Sequence, residues 1–201
     1  MRKMTVFISA LVVCCIILPL DISASPVVSL RSETAPHQCL DQICFEQNLE
    51  FKGQKFQLQG IAARSHLKFF KVYTGAFYLP EGSVVKTDDV PSGAKLMVLE
   101  YHRHIAKDKI IQSIAKNIEE NPSVDGAQLS ARFKQLSSAF SDPNKGSRFL
   151  FAFIPGNGTY LVEGDEIQTE IKGDDFAYAF FGIWFSKHTG NQQRRSQFLN
   201  I

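Results

Sequence analysis

Between Arg64 and Pro80 the chain reads RSHLKFFKVYTGAFYLP, a β-prone run in which Phe69, Phe70, Val72, Tyr73, Phe77, Tyr78 and Leu79 are interleaved with Arg64, Lys68 and Lys71. Aromatic and β-branched residues suit a pleated, half-buried surface, and Lys can snorkel from a strand face. Three cations and two phenols so close together also suit the floor of an apolar pocket for an anionic or oxygen-bearing ligand, with Arg64 and Tyr73 as its polar groups. Upstream, short alternating pieces around Phe45-Glu46-Gln47, Leu49-Glu50-Phe51 and Phe56-Gln57-Leu58, with a turn at Lys52-Gly53-Gln54, predict a β-hairpin. Gly60 then opens a connection, GIAAR, that delivers Arg64 to the central strand. Residues 25–42 show no periodicity and read as a flexible lead-in.

Downstream of a polar, Gly- and Pro-containing loop from Glu81 to Gly93, Lys95 to Tyr101 is the next strand. The period then becomes helical. Ile110, Ile111, Ile114 and Ile118 form one stripe, stopped at Asn121-Pro122, and Leu129, Phe133, Leu136 and Phe140 form a second, stopped at Asp142-Pro143. Strand character returns at Ser147 to Ile154, turns at PGNGT into Tyr160-Leu161-Val162, and continues in Ile167 to Ile171. Asp174 is placed to cap a final long helix, DDFAYAFFGIWF, which is apolar nearly all round and so deeply packed. A short closing helix is expected over Gln192 to Leu199. Strands, two helices, strands and a helix in that order give an α+β domain, an antiparallel sheet covered by helices on one face.

Composition adds a compartment and removes partners. Arg2 and Lys3, the apolar run Val6 to Leu20 and the small residue Ala24 read as a signal peptide over residues 1–24, and Pro19 and the short run disfavour a retained span. The expected product is periplasmic or secreted, one domain over 43–201. Loss of Arg2, Lys3 and Asp21 leaves 20 cations against 19 acids, a formal charge of +1, which argues against nucleic acid as partner. In an oxidising compartment Cys39 and Cys44 favour a small disulfide loop with a turn between them over a free or redox pair, and two thiols without further ligands make no zinc site. His102 and His104 lie at a strand end without a third ligand, so a solvated position is the simpler reading and a haem or metal role the alternative. Asn157-Gly158-Thr159 matches a glycosylation acceptor, though turn chemistry explains it without sugar.

The segments GIAAR, KFFKVYTGAFYLP, PGNGT and IKGDDFAYAFFGIWF resemble, in order and spacing, the exported bacterial branch of the chalcone isomerase-like family, over roughly Phe45 to Leu199. The resemblance implies an open-faced β-sandwich, with a large antiparallel sheet layered by helices and a ligand cleft between. It also implies an Arg, a Thr and a Tyr for closing a chalcone ring in the plant enzymes, and an Arg with a Tyr for holding a fatty-acid carboxylate in non-catalytic relatives. Arg64 matches the Arg. The catalytic Thr position is occupied by Tyr73, the catalytic Tyr position falls near Lys107, the following Asn near Ile114, and the flavonoid-contacting pair is Ile183 and Trp184. Four readings follow. The first is a hydrophobic-acid binder with Arg64 and Tyr73 at the head group and Phe69, Phe70, Phe77, Phe180 and Trp184 along the cavity. The second is an isomerase or intramolecular lyase with Arg64 as its catalytic group. The third is a haem protein using Arg64, His102 or His104. In the fourth, Arg64 is satisfied internally by Asp174 or Glu100 and there is no ligand. The first reading needs no cofactor and no metal.

Overall fold

The computed structural model describes residues 36–66, 70–85, 89–188, 190 and 192–201; the expected signal peptide and the residues Lys68 and Phe69 lie outside them. A two-stranded hairpin, β1 (His37–Leu40) and β2 (Ile43–Glu46), precedes a seven-stranded antiparallel sheet. Its strands run in chain order: β3 (Asn48–Phe51), β4 (Gln54–His66), β5 (Phe70–Pro80), β6 (Lys95–Tyr101), β7 (Arg148–Ile154), β8 (Gly158–Glu163) and β9 (Glu166–Ile171). Helices α1 (Lys107–Glu119) and α2 (Gly126–Ala139) are inserted between β6 and β7, and α3 (Asp174–Phe185) and α4 (Gln192–Leu199) follow the sheet. Among the described residues no helix is long and apolar enough to cross a membrane.

Two packed clusters lie on opposite faces. Tyr73, Phe77 and Leu79 of β5, Met97, Leu99 and Tyr101 of β6, and Phe149, Phe151 and Phe153 of β7 pack with apolar residues of all four helices. The alternate residues Ala76, Tyr78, Leu96, Val98, Leu150 and Ala152 pack with Phe45, Leu49, Phe51 and Phe56 from β2 to β4, without any helix. Burial on both faces makes these central strands continuous apolar runs, with no hydrophobic–polar alternation. The α+β class with helices on one face of a large antiparallel sheet is therefore the observed one.

Three details depart from the sequence reading. The connection GIAAR is itself strand, the second half of β4, in register with β5 from Gly60 opposite Phe77 to Arg64 opposite Tyr73. Gly60 marks a close approach: a Cβ there would collide with the Gln197 carbonyl oxygen of α4. The supposed lead-in ends in β1, whose residues are exposed or half-buried and so leave no alternation to read. Finally, α3 starts from Gly173, with φ of 105°, and Asp174 is its first residue. The neighbouring Asp175 takes two 2.6 Å bonds from Arg132 of α2. Cys39 and Cys44 are directly opposite in the β1–β2 register and joined as a disulfide. The two turn residues between these strands, Asp41 and Gln42, both have positive φ, as a tight hairpin turn requires.

Candidate functional site

Where β4, β5 and β6 run under α1 and α3, the layers part to leave a cavity of about 490 Å³, within the range of small-molecule sites. Its walls are apolar: Leu99 and Phe151 from the sheet, Ile110 and Ile114 from α1, Phe140 just after α2, and Phe180, Ile183 and Trp184 from α3. The rim is polar. Ser65 and His66 at the end of β4 and Lys109 on α1 are exposed, with Arg64 and Ser113 half-buried just inside. Among the described residues no carboxylate lines the cavity, while Arg64 and Lys109 both do.

The sheet register assembles its floor. Arg64, Tyr73 and Tyr101 are consecutive cross-strand partners on β4, β5 and β6, and a β-bulge at Val72, where two β5 residues oppose one, brings Val72 as well as Tyr73 onto the cavity. The Tyr73 and Tyr101 rings meet edge to face at 6.0 Å. Trp184 Nε1 donates to the Tyr73 oxygen at 2.9 Å, so the Tyr73 hydroxyl retains its own proton to donate. Burial, reinforced by Tyr73 and opposed by Arg64, holds the Tyr101 hydroxyl well above the usual phenol range; it stays a neutral donor at physiological pH. Arg64 donates from Nη2 to Ser113 Oγ at 3.4 Å, a long bond. Among the described residues no carboxylate pairs with it. The two internal partners considered lie elsewhere: Glu100 accepts from Arg148 Nε at 2.6 Å on the sheet's opposite face, and Asp174 borders a separate cavity with Asp125, Asp175 and Tyr178.

The structure brings Arg64, Tyr73, Phe180 and Trp184 together in this cavity. It places the other two aromatic candidates outside. Phe77 faces the same side as Tyr73 but is sealed beneath the end of α3, 4.2 Å from the Phe185 ring. Phe70, at the start of β5 and paired with the exposed His66, stands 53% exposed. Lys107 is the first residue of α1 and does not line the cavity, whereas Ile114, Ile183 and Trp184 do. Tyr101, Ser113, Lys109 and His66 went unrecognised as site residues. Lys109 and Ser113 flank the Ile110–Ile114 stripe at a spacing of four, which is the one sequence signal that puts them on the buried side of α1.

His102 and His104 diverge. His102 Nε2 lies 2.8 Å from Thr74 Oγ1, and burial, with Lys71 next, lowers its pKa. His104 Nδ1 meets Asn144 Oδ1 at 3.2 Å, and neither histidine lines the cavity. His37, Cys39 and Cys44 come within 4.8 Å of one another at their ligand atoms, but the disulfide occupies both sulfurs.

A family model described as "Chalcone isomerase-like" matches residues 38–200. Among curated proteins none matches the sequence. The crystal structure of a fatty-acid binding protein of Arabidopsis thaliana, AtFAP1, superposes with a TM-score of 0.62 at 9% identity, over 82% of this chain and 96% of that one. At that identity the likeness is one of fold.

Proposed function

The chain belongs to the chalcone isomerase-like family, and from that premise we propose that it is a non-catalytic binder of a hydrophobic acid, such as a fatty acid, working in the periplasm or outside the cell. The observation that carries this reading is the mismatch inside the cavity: apolar walls and two cations, with no carboxylate among the described residues lining it. A buried or half-buried guanidinium without an internal anion calls for one from outside. A carboxylate accepts a fork of bonds from Arg64, with the Tyr73 and Tyr101 hydroxyls beside it in the same cross-strand row. An alkyl tail then displaces water from the apolar walls, worth about 0.8 kcal/mol per methylene buried. The Arabidopsis neighbour's fatty-acid binding supports the choice of ligand class, and the Arg2–Lys3 start and apolar Val6–Leu20 run support export as a bacterial-type exported member.

Catalysis of ring closure fits less well. Developing negative charge needs positioned donors, and losing one costs about 3–4 kcal/mol of transition-state stabilisation. Here Lys107 stands off the cavity, Ile114 and Ile183 bring no side-chain donor, and the Trp184 N–H is already bonded to Tyr73, which leaves Tyr73 alone at the Thr position. The test is native mass spectrometry and lipid extraction of the purified protein, followed by titration with palmitate. A bound acid is expected, and Arg64→Ala should weaken palmitate binding about ten- to a hundredfold, as loss of a charge-assisted hydrogen bond does. Palmitate affinity unchanged by that substitution, or Arg64-dependent turnover of a chalcone, would overturn the reading. A mature N-terminus at residue 25, read by protein sequencing, checks the export step.

A further inference from the structure

Phe70 is the feature that the cavity leaves unexplained. It opens β5 opposite His66, a rim residue, and exposes half of an aromatic side chain beside the mouth of the cavity. Around the same mouth the half-buried Val72, Ile105 and Ile110 continue the apolar surface inward. The ionisable groups lining it are Arg64, His66 and Lys109, together with the buried phenols Tyr73 and Tyr101. Lys71 beside Phe70 is neutralised by Asp41 at 2.7 Å, and the nearest acid in sequence on α1, Asp108, is not part of the lining. The mouth therefore combines an exposed aromatic, an apolar throat and uncompensated positive charge.

That combination fits one kind of partner: the surface of an anionic lipid bilayer. Aromatic rings settle at the boundary between head groups and acyl chains, and each cation near an anionic leaflet adds about 1 kcal/mol of attraction. We infer that the protein docks mouth-down on anionic membranes, with Phe70 inserted at the interface, the exposed His66 and Lys109 facing the lipid head groups and Arg64 just behind them at the mouth. The inference rests on the hydrophobic-acid reading of the cavity and extends it to where the ligand is collected: a long-chain acid moves from bilayer to cavity without crossing bulk water.

The experiment is co-sedimentation of the full mature chain with phosphatidylcholine vesicles, with and without phosphatidylglycerol, alongside transfer of a fluorescent fatty acid from those vesicles to the protein. Binding is expected only with phosphatidylglycerol present, falling as salt is raised. Phe70→Ala, outside the cavity, should reduce vesicle binding and transfer rate about tenfold while leaving palmitate affinity in vesicle-free solution unchanged. Vesicle binding indifferent to lipid charge, or unaffected by Phe70→Ala, overturns the inference, as does a Phe70-dependent dimer without vesicles, which would make this face a contact between copies. Failure of the cavity reading is separable, because it shows as absent palmitate binding in solution whatever the vesicles do.

Discussion

Lys95 begins β6 with its side chain buried on the helix-covered face, where its ammonium donates to the Gly93 carbonyl at 2.7 Å and lies 4.3 Å from the Phe153 ring centroid. Burial, only partly opposed by Asp174, lowers its pKa from the ordinary lysine value of 10.5 to about 8. Below about pH 8 folded and unfolded chains both hold the proton, and the fold bears the full cost of a desolvated ammonium. Between about pH 8 and 10.5 the folded chain has released the proton and the unfolded chain has not, so stability rises with pH by an amount of about 3 kcal/mol in all. Lys95→Met should abolish this rise. Urea midpoints of both proteins at about pH 7 and about pH 10 check it, and parallel pH trends in the two would rule the mechanism out. Residue by residue, the sequence is only partly transparent to the site. Arg64 and Tyr73 stand out as polar groups inside an aromatic run, whereas Phe70 and Phe77 look equivalent to them. One is exposed at the start of β5 and the other is sealed beneath α3, and strand periodicity carries no information on which part of a strand the second layer covers.

At the scale of elements the strong periodicities are legible: β6 matches its expected bounds, and α1, α2 and α3 fall on their apolar stripes within a few residues. What was hidden is the pairing. The register Arg64–Tyr73–Tyr101 arises from two strands meeting β5 on either side, and GIAAR reads as a connection because a glycine and two alanines carry little strand signal. The glycine instead makes room for α4, whose backbone comes so near β4 that Gly60 could not carry a side chain, while at Gly75 a Cβ would come 2.8 Å from Leu99 Cδ2 and 3.1 Å from Phe198 Cζ. Overpacking of this kind costs about 1–3 kcal/mol. Gly60→Ala should therefore lower stability by that amount or more, because the obstructing atoms are backbone and cannot rotate away. Chemical denaturation measures it, and an unchanged midpoint would mean that α4 is free to shift.

Across the whole molecule the sheet separates two kinds of chemistry. The face without helices carries a compact ionic group, in which Arg148 bonds Glu100, lies 3.9 Å from Glu46 and donates to the Cys44 carbonyl, fastening the disulfide hairpin to the sheet. The helix-covered face keeps its two cavity cations without a carboxylate. One face is thus satisfied from within, and on the proposed reading the other is left for a ligand, a division that depends on which strand residues share a face and is readable only once the register is known. Trp184 has a further use. It is the only tryptophan in the chain, and it stands in the cavity wall with its indole N–H on Tyr73, so indole emission, excited apart from the tyrosines, reports one place, the cavity proposed for the ligand. Exchange of cavity water for an alkyl chain should shift its emission to shorter wavelength. A palmitate titration followed by this light alone should give the same dissociation constant as calorimetry, and emission that stays fixed at saturation would place the acid elsewhere on the protein.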